Sequence, residues 1–191
     1  MRVLAVDPAF KNTGYVVFES GESEWIPLAC RVIRPKTLSG KQLARAKMGK
    51  IAHNRNRCVE IFTELLETIQ RYDVGVLVAE ELGGTQSSAA ARGFGMSDAI
   101  LACVVEVAKI EAYWYSNKAI KKVFTGIVDS DKNRMVLEAC KKWPDFTEEH
   151  FPEGKAILRK YAQHAEHLAD AMAVMTCAER TDNLLDIFKD S

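Results

Sequence analysis

Three apolar segments of this chain each carry a carboxylate where one is costly. Val3-Leu4-Ala5-Val6 runs into Asp7, and Val74-Gly75-Val76-Leu77-Val78-Ala79 runs into Glu80-Glu81. The third segment is late, His167-Leu-Ala-Asp170-Ala-Met-Ala-Val, where His167 and Asp170 stand three apart and share one helical face. A carboxylate among apolar neighbours is expensive to desolvate unless a cation or hydrogen-bond donors compensate it. No cationic partner stands beside any of the three in the chain. Taken alone, a buried cap or ion pair is the commoner explanation for Asp170. Taken together, the three acids ask for another. Carboxylates brought within about 4 Å repel by several kcal/mol per pair at an effective dielectric near 20. Divalent cations offset that cost. An oxygen-rich site with open positions suits magnesium or manganese, and two such ions about 4 Å apart are a device for phosphodiester hydrolysis.

The elements that must position these residues can be read from periodicity. Residues 2–8 and 13–19 predict a hairpin, with Pro8 ending regular pairing because it lacks an N–H. Glu24 to Arg34 predicts a third strand, stopped by Pro35. Lys36 to Lys50 is polar and basic with two glycines, and reads as a loop or a frayed helix start. From His53 to Arg71, Cys58, Ile61, Phe62, Leu65, Leu66 and Ile69 recur at the spacing of a helix packed on a sheet. The run 74–79 has the continuous apolar character of a central strand. Gly83 to Gly95 reads as a glycine-rich loop, and Met96 to Lys109 as a helix buried on most sides. Ile110 to Tyr115 reads as a strand, Asn117 to Val123 as a short basic helix, and Asp131 to Lys142 as a helix capped by Ser130 or Asp131. Pro144 to Gly154 reads as a loop and Lys155 to Arg180 as the last helix. Three antiparallel strands followed by alternating helices and strands predict a mixed α/β sheet covered on both faces. That pattern fits a ribonuclease-H-like fold.

Composition narrows the function classes. With 191 residues, 48% hydrophobic and 27% charged, the chain is long enough for a real core and unlike a disordered one. No apolar run approaches the roughly 20 residues needed to span a bilayer. The short apolar start ending in Asp7 is not a signal peptide, so a cytoplasmic protein is expected. Five cysteines (30, 58, 103, 140, 177) show no CxxC spacing and read as free thiols, Cys103 and Cys177 as small hydrophobes. The net charge is zero, yet Arg31 to Arg57 holds nine basic residues and no acidic one. A solvated face is the plain reading of such a run; contact with phosphates is the functional one.

Four pieces in order resemble the RuvC family of Holliday-junction resolvases. They are Val-Asp7-Pro-Ala-Phe-Lys-Asn-Thr-Gly-Tyr, Leu-Val-Ala-Glu80-Glu, the Lys121 to Lys132 segment, and His167-Leu-Ala-Asp170-Ala. The likeness runs from residue 2 to about 178. It implies a five-stranded ribonuclease-H-like domain over residues 1–180, with 181–191 as a short tail. It implies that Asp7, Glu80, His167 and Asp170 bind two Mg²⁺ ions, for which Mn²⁺ would substitute. It further implies that Lys121 and Lys132 lie near the scissile phosphate, with Lys122 a weaker substitute. The implied partners are branched DNA and a second copy of the chain, the homodimer cutting two opposed strands. Nothing identifies a partner helicase.

The chain departs from the family pattern at two places. Ala9 stands where the family usually has glycine, a mild change if φ is negative there. Gly83 stands where an aromatic that resembles a base-stacking wedge is usual, which bears on junction opening and sequence preference. Rivals to the site set are Glu81 for Glu80, of which only one can point inward, and Glu166, four before Asp170. His164 reads as a surface or outer residue. Met96 to Val107 is the candidate dimer surface. Three other functions compete: a broader nuclease cutting flaps or forks, a non-catalytic junction binder, and an actin-like nucleotide-binding domain, which would need a second such domain.

Overall fold

The computed structural model describes residues 1–81, 83, 87–151 and 162–182. Five strands form one sheet: β1 (Arg2–Asp7), β2 (Thr13–Ser20), β3 (Trp25–Ile33), β4 (Val76–Glu81) and β5 (Glu111–Ser116), in the order β3-β2-β1-β4-β5. The first three pair antiparallel; β1–β4 and β4–β5 pair parallel. This is the expected mixed five-stranded sheet. β1 and β4 are central and lie side by side, with Val6 opposite Ala79. The residues that follow, Asp7 and Glu80, are thereby delivered to the same edge.

Among the described residues there are seven helices: α1 (Gly40–Arg45), α2 (Lys50–Tyr72), α3 (Ser88–Ala108), α4 (Asn117–Thr125), α5 (Lys132–Lys142), α6 (Pro144–His150) and α7 (Ala162–Asp182). Strand alternation sorts the core into two layers. Val3, Ala5, Val76 and Val78 face α4, α5 and α7, where Ile120, Met135, Leu168, Met172 and Met175 are buried. Leu4, Val6, Leu77 and Ala79 face α2 and α3, against Ile61, Leu65, Leu101 and Val104. α7 lies directly across β1, β2 and β4. Its small residues Ala169, Ala171 and Ala173 are fully buried and let the helix axis come close.

Several boundaries differ from the sequence reading. The glycine-rich stretch is helical from Ser88, because Ser87 caps Ala90 N and Ser88-Ala-Ala-Ala91 outweighs Gly93 and Gly95. Residues 144–150 form a helix with Pro144 at its start, where a missing N–H costs nothing. Within the basic loop, Ser39 and Gln42 close a capping box on α1. Asp131 is the cap of α5. α3 is half exposed rather than buried on most sides, and Cys103 lies on its exposed side, so of the two cysteines expected in the core Cys177 alone is there. α7 continues to Asp182, two residues into the expected tail; 183–191 and the expected helix start at 155–161 lie outside the described residues. Among the described residues no helix is long and apolar enough to cross a membrane.

Candidate active site

Parity places the first two carboxylates. Asp7 continues the Val3, Ala5 side of β1, and Glu80 continues the Val76, Val78 side of β4, so both face α7. Glu81 falls on the opposite side and is exposed. α7 then presents His167 and Asp170 to the same end of the sheet. His167 Nδ1–H donates to Asp7 Oδ2 at 2.6 Å, both side chains being largely buried.

The helix can come this close because of Gly14, paired with Asp7 across the hairpin. A Cβ on Gly14 would lie 2.4 Å from the His167 carbonyl oxygen, far inside contact distance. Ala9 is not among the residues with positive φ, so alanine there is unstrained.

Electrostatics link all four residues. Burial, followed by the charges of Asp7 and Glu80, pushes the Asp170 carboxyl up to about 7, against His167 and Lys132. Glu80 is also raised, by burial first, while a hydrogen bond from Asn117 Nδ2 (2.8 Å) and the Lys121 charge oppose the shift. As they stand, Asp7 leans to His167 and Glu80 to Asn117. Among the described residues no three such side chains close on a common point suited to an ion. The donor chemistry nevertheless fits a hard divalent cation: three crowded carboxylates and one imidazole, two of the acids driven towards protonation in its absence.

The lysines divide. Lys121 is partly buried on α4 and acts on Glu80, whereas Lys122 is exposed. Lys132 is exposed at the start of α5 and pairs with Glu166. Glu166 is therefore a buried ion-pair partner, not a fourth carboxylate of the cluster. His164 is exposed beside Arg34. Gly83 is exposed with open space around it.

Two residues with site roles escaped the sequence reading. Asn117 was only a helix start, but the β4–β5 register, Glu81 opposite Ser116, sets it beside Glu80. Arg57 was counted with the phosphate-contacting run. It is buried, donates to the Phe10 carbonyl at 2.7 Å and stacks over the Phe10 ring, so it braces the turn after Asp7. The basic run as a whole does not form one face: Arg31 pairs with Glu64 and Arg34 contacts His164.

A mixed sheet with antiparallel β1–β3, parallel β4 and β5, and acids at the ends of β1 and β4 under α7 is a ribonuclease-H-like fold. No family model matches the chain. It is 22% identical over 179 residues to the crossover junction endodeoxyribonuclease RuvC of Hydrogenovibrio crunogenus, covering 94% of this chain and 87% of that one. Its fold is similar to RuvC of Thermus thermophilus solved with a Holliday junction substrate (TM-score 0.69, 19% identity, 96% of both chains). It also resembles the yeast mitochondrial Holliday junction resolvase (TM-score 0.66, 14% identity, 98% of this chain and 81% of that one). Within that fold, the chain is similar in sequence and in structure to RuvC resolvases.

Proposed function

We propose that the protein is an endonuclease that resolves four-way DNA junctions by hydrolysing phosphodiester bonds at a centre formed by Asp7, Glu80, His167 and Asp170. The observation that carries this reading is the delivery of three electrostatically coupled carboxylates from β1, β4 and α7 to one end of the sheet, with Asp170 pushed up to about 7 by burial and by the other two. The relative solved with a Holliday junction supplies the substrate class.

Asp7, Glu80, His167 and Asp170 would hold two Mg²⁺ ions, or Mn²⁺ in their place. Bound there, the ions would supply an activated water and charge neutralisation at the leaving 3′ oxygen. The chain's own groups do the rest. The Asp7 carboxylate accepts from Nδ1 of His167, which orients the ring and leaves Nε2 as its free nitrogen, for a ligand or for holding water. Asn117 turns Glu80 towards α4, beside Lys121. Lys121 and Lys132 would stabilise charge developing on the phosphate, Lys132 exchanging Glu166 for a phosphate oxygen. Two copies, related by a two-fold axis, would cut the two opposed strands. The exposed apolar stripe Ala99, Cys103, Val107 on α3 supports that assembly, Val107 being 57% exposed.

The test is cleavage of a labelled synthetic junction in Mg²⁺, beside linear duplex, a flap and a Ca²⁺ control. Paired symmetric nicks on the junction are expected. Glu80→Gln should lower the cleavage rate by about a hundredfold or more, and Glu81→Gln should leave it within about threefold of wild type. Equal loss in both would overturn the assignment of Glu80, and equal cutting of the flap would make the enzyme a broader branched-DNA nuclease.

A further inference from the structure

Beside the carboxylates lies a cavity of about 770 Å³, bounded by the β1–β2 turn and the first turns of α2 and α3. Its charge is one-sided. Lys11, Lys50, Arg57, Arg92 and Lys132 line it, against the single carboxylate Glu166, and that carboxylate is already paired with Lys132. Among the described residues Lys11, Lys50 and Arg92 have no ion-pair partner. Arg57 is only 7% exposed; its guanidinium touches a carbonyl and a ring, its Nε has no partner, and the Glu60 charge only partly offsets its desolvation. A buried guanidinium with no carboxylate in hydrogen-bonded contact is costly. Four cations lining one concave surface, three of them exposed and Arg57 buried, set up a positive field that favours an anion.

The volume falls in the range of about 300–1,000 Å³ usual for ligand pockets, larger than a bare phosphate needs. His167 forms part of the same wall. A strand with one phosphate at the carboxylates would pass His167 to reach this cavity. We propose that the cavity is a second phosphate subsite, which takes the neighbouring backbone phosphate of the same nucleic-acid strand on Lys11, Lys50 and Arg92, with Arg57 behind them. The proposal rests on the nuclease reading only for the identity of the ligand as a polynucleotide.

The experiment measures binding of a synthetic four-way junction and of a single-stranded oligonucleotide in Ca²⁺ across a salt series. The proteins are wild type, the double variant Lys50→Ala/Arg92→Ala, and Arg71→Ala, which removes an exposed arginine from the opposite end of α2. The double variant should flatten the slope of log affinity against log salt by about 1.4–1.8, one contact's worth for each residue, with unchanged far-UV circular dichroism. Arg71→Ala should keep the wild-type slope. An unchanged slope in the double variant, or equal flattening in both, overturns the subsite. So does stabilisation by inorganic phosphate that depends on Lys50 and Arg92 with no change in slope, since that marks a small-anion site. A wild-type protein that cuts no DNA but binds it through Lys50 and Arg92 sustains the subsite and defeats the nuclease reading. One that binds no nucleic acid defeats both.

Discussion

Asp170 sits on the packed side of α7, and its carboxyl holds a proton in the metal-free fold at pH values where the unfolded chain has lost it. The folded value is about 7 against an ordinary 3.8, burial being the first cause and Asp7 and Glu80 the next. Between those two values the native state binds more protons than the unfolded one, so metal-free stability should fall as pH rises from about 4 to about 7. Asp170→Asn removes the charge while keeping the shape. We expect it to raise the melting temperature of the metal-free protein at pH 8, to raise it by less at pH 5, and to abolish cleavage. Mg²⁺ should stabilise the wild type more at pH 8 than at pH 5.5, because an ionised Asp170 is the better ligand. Thermal melts at the two pH values, with and without Mg²⁺, check both. A lower melting temperature for Asp170→Asn at pH 8 would show that the carboxylate is compensated within the protein.

At the scale of elements, the carboxylate end of the sheet depends on how closely α7 approaches the β1–β2 hairpin. Gly14 is what permits it, since a methyl there meets the His167 backbone rather than a yielding side-chain tip. Gly14→Ala should therefore push α7 away from β2, cost about 1–3 kcal/mol of stability, and displace His167 from Asp7. The expected result is a folded protein with a lowered denaturant midpoint and a cleavage rate reduced more than its junction affinity. A variant with wild-type cleavage would mean that the hairpin yields instead.

For the whole molecule, the question is what covers α3. Its inner side packs Ile100, Leu101 and Val104 onto the sheet, while Ala99, Cys103 and Val107 face outward. If a second copy covers them, Val107→Glu should yield a folded monomer by sedimentation. Junction cutting should then shift from paired nicks to single, uncoupled ones. A variant that remains dimeric and still cuts in pairs would place the interface elsewhere.

Much of this was legible in the chain itself. Apolar runs ending in acids marked β1 and β4, and the 3.6-residue stripe marked α2, because those periodicities are local consequences of burial on one face. Strand parity says that only one of Glu80 and Glu81 faces inward; the β1–β4 register, Val6 opposite Ala79, decides for Glu80. Local patterning misled at Ser88–Gly95 and at Pro144–His150, where capping and a first-position proline outweighed glycine and loop-like composition. Other assignments had no local signal at all. Arg57 looks like any basic residue until α2 is laid against the β1–β2 turn, and Asn117 meets Glu80 only through the register of β5. Likewise Lys132 reads as a free cation until α7 sets Glu166 beneath it. Periodicity is a property of neighbours along the chain, and the sequence determined what depends on it. Pairing across 37, 47 or 160 positions depends on how elements pack, and only the tertiary structure could decide it.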